Sequence, residues 1–174
     1  MAGTKETVLG VLAPICGSVD VYEHRGDLTF AVDADDLTEA ARELRDNPDT
    51  RFEQLRDVTA IDWYDRRPLR YDVIYTLYSL THKHRIRLRV SLGENDPSVA
   101  SLVEVWESAN WYERETYDMY GIFFENHPDL RRFYMPEDYV DPESGEPIYP
   151  LRKDFPVMGV PGSLPLPSMN PDEN

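Results

Sequence analysis

Apolar and polar positions along this chain repeat with two periods, one helical and one alternating, and each change of period marks an element. Between Thr4 and Ile15 the apolar residues Val8, Leu9, Val11, Leu12 and Ile15 fall at helical spacing, which predicts a short amphipathic helix. Val19–Tyr22 and Leu28–Val32 read as strands around a turn signal, Arg25-Gly26-Asp27. A second helix is expected up to about Asp46, with Leu37, Ala40, Ala41 and Leu44 as its buried stripe. Asp33 or Asp35 would cap it, and Asn47-Pro48 would end it. A strand at Asp57–Trp63 and a turn at Asp65-Arg66-Arg67-Pro68 follow.

Tyr71–Leu80 and His84–Leu92 carry the clearest strand patterns. In the second, His84, Ile86, Leu88, Val90 and Leu92 share one face, and Arg85, Arg87, Arg89 and Ser91 the other. The first is apolar or aromatic on both faces, which suits a strand inside a sheet. Asp96-Pro97 reads as a helix cap with proline at the first helical position, followed by a stripe of Val99, Leu102, Val103 and Trp106. The expected fold is α+β, a mostly antiparallel sheet packed by helices.

Beyond residue 135 the pattern stops. Nine of the 14 prolines lie in the last 39 residues, a density that excludes a helix or a central strand. Yet Tyr139, Ile148, Tyr149, Leu151, Phe155, Val157, Met158 and Leu164 punctuate the segment, unlike a solvated tail. Residues 1–135 are therefore expected to form the domain, and 136–174 an extended arm that buries its apolar side chains on another protein. Fully extended, such an arm reaches on the order of 120 Å. The alternative is a tail folded back over its own domain.

A chain of 174 residues is long enough for one domain with a real core. It holds no apolar run of about 18 residues, so no helix is expected to span a bilayer. The first residues lack the basic start and cleavage pattern of a secretory signal, which predicts a cytosolic chain. Cys16 is the single cysteine, excluding an internal disulfide and a cysteine-ligated iron–sulfur cluster or zinc ribbon built from this chain alone. The net charge of −15 argues against general nucleic-acid binding. A salt-adapted source and a functional role account for that acidity equally well.

The charge is uneven. Residues 61–92 carry 7 basic and 3 acidic groups, against 6 and 13 in residues 1–60 and 5 and 17 in residues 93–174. Arg85, Arg87 and Arg89, with Arg66, Arg67, Arg70 and Lys83 nearby, make one cationic patch. Acidic residues on the same sheet face would neutralise it; otherwise it docks an acidic partner. His82 and His84 share a strand face, but two ligands without a third are weak evidence of a metal site.

The densest chemistry runs from Asn110 to Pro136, NWYERETYDMYGIFFENHPDLRRFYMP. Glu113, Arg114, Glu115 and Asp118 sit among Trp111, Tyr112, Tyr117 and Tyr120, and charges among so much apolar surface require partners. Two placements are open. A helix from Pro97 continues and puts Glu113 on its apolar face, or Asn110 caps a new helix and Glu113 closes a capping box. In both, Arg114 and Asp118 can pair four positions apart, and Gly121 stops the helix. Arg131 and Arg132 are candidate partners for Glu113, Glu115 or Asp118. Paired carboxylates invite the reading of a free-standing acid–base hydrolase. Nothing beside them supplies a nucleophile, a phosphate-cradling loop or a metal cage, so no catalytic centre is expected.

With His127-Pro128-Asp129-Leu130-Arg131-Arg132, this string resembles the signature of the 30 kDa subunit family of respiratory complex I, the C subunit of the NADH:quinone oxidoreductase. Pro150-Leu151-Arg152-Lys153-Asp154-Phe155 resembles the tail of the same family. The resemblance assigns signature and interface positions to Glu113, Arg114, Glu115, Asp118, Gly121, His127, Pro128, Leu130 and Arg131, and to Pro150, Leu151, Arg152, Lys153 and Asp154. It implies a peripheral-arm subunit at the cytoplasmic face of the inner membrane, supporting the D subunit, which forms the quinone site. It also implies that FMN, iron–sulfur clusters and quinone are held by partner subunits and no cofactor by this one. Membrane contact is then made only through the complex. An equivalent subunit of a ferredoxin-dependent or hydrogenase-type relative fits the same residues.

Overall fold

The computed structural model describes residues 2–142 and 144–156, and its centre is a five-stranded mixed sheet. The strands are β1 (Asp20–His24), β2 (Asp27–Ala31), β3 (Gln54–Asp62), β4 (Tyr71–Ser79) and β5 (His84–Leu92), in the order β1-β2-β5-β4-β3. β2 and β5 run parallel, and the other three pairings are antiparallel. The β1–β2 turn holds Arg25 and Gly26 at φ 50 and 84, the left-handed pair that matches the twist of a two-residue hairpin. β4 lies inside the sheet between β3 and β5, as its two-sided apolar pattern requires.

Helices α1 (Ala2–Leu12) and α2 (Leu37–Asp46) cover one face of this sheet. Val8 and Leu12 of α1 and Leu37, Ala40, Ala41 and Leu44 of α2 meet Phe30, Ile86, Leu88 and Leu77 in one core. Each such fully buried large side chain contributes roughly 1.5–3 kcal/mol. α1 stops ahead of Pro14, whose ring disfavours helix at the residue before it. α2 ends at Asn47, as expected, but Asp36 occupies its N-cap in place of Asp33 or Asp35 and makes no side-chain capping bond. Cys16 is buried in this core, and burial with Asp36 nearby pushes its thiol up to about 11.

α3 (Ala109–Tyr120) runs along the exposed edge of β3. Trp106 Nε1 donates to the Phe52 carbonyl at 3.0 Å, Ser108 Oγ to Leu55 at 3.0 Å and Thr116 Oγ1 to Val58 at 2.9 Å. Ser108 and Thr116 satisfy carbonyls that an edge strand leaves open, and Trp106 the carbonyl of Phe52 just before it.

The helix expected from Pro97 does not form. Ser98–Ala100 is strand β6, parallel to β7 (Phe123–Glu125), with Ser98 opposite Phe123 and Val99 opposite Phe124. Val99, Leu102 and Trp106 are buried as the stripe predicted, but through a short strand and a single turn closed by Trp106 N–H to Leu102 O at 2.8 Å. A partner strand 25 residues downstream outweighs the local helical spacing.

Beyond Pro136 the described chain folds back on the domain. Val140 bridges Pro147, the Leu151 N–H reaches Met119 O at 3.1 Å, and Lys153 N–H reaches Asp62 Oδ2 at 2.8 Å. Residues 157–174, and with them the rest of the expected arm, lie outside the described residues. Among the described residues no helix is long and apolar enough to cross a membrane.

Candidate functional site

α3 begins near Asn110 and carries the charged signature; the continuous helix from Pro97 is not formed, but Glu113 lies on the buried face that this placement gave it. The helix takes Ser108 as N-cap without a side-chain cap bond, so Asn110 closes no capping box. Glu113 turns inward instead. It is fully buried; its Oε1 accepts the Leu102 N–H at 2.7 Å and its Oε2 the Ser101 hydroxyl at 2.6 Å. Burial pushes its carboxyl up to about 7 against these bonds. Tyr75, fully buried, is raised well above its ordinary value by burial and by Glu113, and its hydroxyl has no hydrogen-bond partner among the described residues.

Asp118 is fully buried on another side of α3. Its Oδ2 accepts three successive N–H groups, from Phe133, Tyr134 and Met135 at 3.2, 2.8 and 2.9 Å. Arg132 Nη1 lies 3.7 Å from Oδ1. The expected Arg114–Asp118 pair is thereby replaced, because the backbone of 133–135 supplies donors that Arg114 would otherwise provide. Arg114 lies over the Trp111 and Phe133 rings, 4.8 and 5.1 Å from their centres, and its Nε points to Arg131 O at 3.3 Å. Glu115 is exposed. On a helix of 3.6 residues per turn, Glu113 and Asp118 point about 140° apart, so they form no acid–base pair.

Gly121 ends α3 at φ 73, and its N–H bonds Tyr117 O at 2.8 Å. A Cβ here would lie 2.5 Å from both Arg152 Nη2 and Tyr149 Cε2, so the glycine also makes room for the returning tail. The His127 ring links two segments: Nε2 meets Asn110 O at 3.1 Å, and Nδ1 accepts the Asp129 N–H at 3.0 Å. That network assigns the neutral Nε2–H tautomer, and burial holds the ring below its ordinary value. Pro128 is exposed, Leu130 packs on the core, and Arg131 pairs with Asp129 at 2.9 Å rather than with α3.

The tail signature meets α3 and the end of β3. Pro150 is half-buried and Leu151 half-exposed. Arg152 Nε donates to Tyr120 O at 2.6 Å. The Tyr149 ring lies between Arg132 and Arg152, 5.0 and 4.3 Å from its centre. Asp154 meets Arg70 Nη2 at 2.8 Å. Arg70 is the buried hub that the signature did not include: it grips Asp62 through two bonds of 3.0 and 2.9 Å and Glu94 at 2.6 Å. The Asp62 bond, against burial, holds Arg70 above its ordinary value. Arg70 and Asp154 stand 84 residues apart, beyond any spacing rule.

The cationic stripe is partly neutralised. Asp27 takes Arg85 at 2.6 Å and Arg87 at 2.9 Å, while Asp72 takes Arg67 at 3.1 Å and lies 4.0 Å from Arg89. His82 lies in the turn before β5, not on it, and bonds Pro48 O at 3.0 Å. Its ring stacks on His84 at 5.7 Å, and among the described residues no group of three or more His, Cys, Asp and Glu is placed to hold a metal ion. An open groove of about 700 Å³ between α1 and α2 includes none of the signature residues.

This arrangement is one of anchoring, and comparison with known proteins places it. The family model described as "Respiratory-chain NADH dehydrogenase, 30 Kd subunit" matches residues 30–161. The C subunit of the NADH-quinone oxidoreductase of Cupriavidus pinatubonensis is 44% identical over 162 residues, spanning 88% of this chain and 78% of that one. The solved trypsin-resistant fragment (1–134) of Nqo5 superposes with a TM-score of 0.60 at 29% identity, covering 73% of this chain and 99% of the fragment. A chain of the archaeal membrane-bound sulfane sulfur reductase shares the fold, with a TM-score of 0.69 at 24% identity over 91% of this chain and 88% of that chain. The matched span takes in both the α3 signature and the tail that closes over it, and on that ground the chain is a member of the respiratory-chain NADH dehydrogenase 30 Kd subunit family.

Proposed function

We propose that the chain is a cofactor-free scaffold subunit in the peripheral arm of a proton-translocating NADH:quinone oxidoreductase. In this reading it sits at the membrane face without entering the bilayer and packs against the quinone-site subunit. Electrons pass from NADH through FMN and iron–sulfur centres of other subunits to quinone. The observation that carries the reading is the use of the signature charges: Glu113 and Asp118 are fully buried acceptors for backbone N–H groups, unavailable to a substrate. Such bonds lock the loops around α3 into one shape, as a docking surface requires. A free-standing hydrolase would need those carboxylates to converge on a cavity.

The test is recovery of the tagged chain from mild detergent with its neighbours identified. Asp118→Ala removes the acceptor for three N–H groups, costs on the order of 2–4 kcal/mol, and should lower the yield of complex. Complexes that do assemble should turn over at the wild-type rate; normal yield with lost turnover would argue for a chemical role instead. The fold shared with the sulfane sulfur reductase chain supports a second reading, a subunit of a complex with another electron donor. NADH oxidation by the purified assembly separates the two.

A further inference from the structure

The face of the sheet opposite α1 and α2 is unlike a solvated face. In a one-sided sheet the outward residues are polar, yet Tyr22, Ile61, Ile74 and Tyr78 point outward, with Tyr22 48% and Ile61 40% exposed. Arg85, Arg87 and Arg89 of β5 run down the middle of that face, opposite Tyr78, Thr76 and Ile74 of β4.

Charge on this face differs from the rest of the molecule. Arg56, Arg67, Arg85, Arg87 and Arg89 stand against Asp20, Asp27, Asp57 and Asp72, five guanidiniums to four carboxylates, where the whole chain has 18 basic and 33 acidic groups. The two central carboxylates are oversubscribed. Among the described residues Asp27 alone serves Arg85 and Arg87, and Asp72 serves Arg67, the Trp63 indole and the Ser91 hydroxyl, leaving Arg89 at 4.0 Å and its buried Nε without a bond. At one end the face runs into a concavity of about 490 Å³, shared with Thr4 of α1 and His84 of the covered face, whose walls include Arg56, Lys83 and Arg85 with Asp27 and Tyr78. Three cations to one carboxylate, beside the Tyr78 ring, match a segment that brings carboxylates and a little apolar surface. Arginine and tyrosine are also the residue types that dominate protein interfaces.

We infer that this open face, centred on Arg85 and Arg87 and the concavity beside them, docks a carboxylate-rich segment of a neighbouring protein subunit. The inference rests on the subunit reading above and adds to it which surface is used and what chemistry meets it. Asp27 then acts as a placeholder: the incoming carboxylates share the guanidiniums it holds in the free chain, which gives the contact register and salt sensitivity.

Arginine footprinting with phenylglyoxal, on the isolated full chain and on the intact detergent-purified complex, tests this without any substitution. Arg85 and Arg87 should react roughly tenfold more slowly in the complex. A photo-cross-linker at Thr76 should capture a peptide of another subunit rich in Asp and Glu. Arg85→Glu with Arg87→Glu should lower recovery of the complex on the order of tenfold at low salt, with the milder Arg85→Gln and Arg87→Gln pair intermediate. Equal reactivity in both states overturns the inference. So do cross-links only to residues 157–174 of the same chain or to a second copy, and protection by anionic lipid vesicles alone. If the wild-type chain recovers no neighbours, the subunit reading fails and this one with it; recovery with unprotected arginines removes this one only.

Discussion

Glu113 shows how a single carboxyl can be both structural and titratable. The Leu102 N–H suits an acceptor in either protonation state, and the Ser101 hydroxyl can donate to the carboxylate or accept from the acid. Because burial raises its pKa to about 7 from 4.5, the folded chain holds the proton more tightly than the unfolded chain. The stability this contributes is complete below about pH 4.5, falls as pH rises towards 7, and levels off above; the full swing is roughly 3 kcal/mol. Thermal melts between pH 4.5 and 8 should therefore show Glu113→Gln flattening the decline, with the variant matching or exceeding wild type at pH 8. Identical slopes would show that another group titrates. Asp62 has the opposite sense: burial opposes ionisation, but bonds from Arg70, Lys153 and Tyr64 win and hold its carboxyl below the ordinary value. Its contribution is present above that ordinary value and is lost as pH falls through the lowered one.

At the scale of elements, α3 does separate jobs with two of its faces and with its C-terminus. One satisfies the open carbonyls of β3, one holds the loop at 133–135 through Asp118, and its C-terminus receives the tail. Gly121 is where the helix end and the tail meet. Gly121→Ala places a side chain in the left-handed region and pushes against Tyr149 and Arg152, so we expect a loss of roughly 1–3 kcal/mol in denaturant melts. The region 149–154 should also become more open to protease. An unchanged melt would mean that the tail does not rest on this helix end in solution. The stop itself was legible in the sequence, since glycine after an amphipathic run is a helix terminator. The tail contact was not, because Gly121 and Arg152 lie 31 positions apart and meet only through packing.

At the scale of the molecule, Arg70 closes the fold. It joins the end of β3, the loop after β5 and the tail at one buried point, so removing it leaves the buried Asp62 with the Tyr64 and Lys153 N–H groups but no counter-charge. Arg70→Met should cost about 3–5 kcal/mol. It should also expose Arg152 and Lys153 to trypsin in the folded chain, read by mass spectrometry of the released tail. Stability lost with the tail still protected would show that the other bonds of residues 149–153 suffice to hold it.

Periodicity in the sequence determined α1, α2 and strands β2 to β5, because each buries a stripe set by local backbone geometry; β1, exposed except at Val21, followed from the turn signal beside it, and the end of α3 from its glycine. The resemblance to the family signature singled out Glu113, Asp118, Gly121 and Arg152 as candidates. Tertiary structure alone decided their partners: Ser101 for Glu113, the 133–135 backbone for Asp118, Tyr120 and Tyr149 for Arg152. It also made Ser98–Ala100 a strand, since Phe123–Glu125 offers it a pairing partner that sets Val99 beside Phe124 in the core. Sequence spacing records what a residue needs, a buried face or a counter-charge; which distant group supplies it depends on how the whole chain closes.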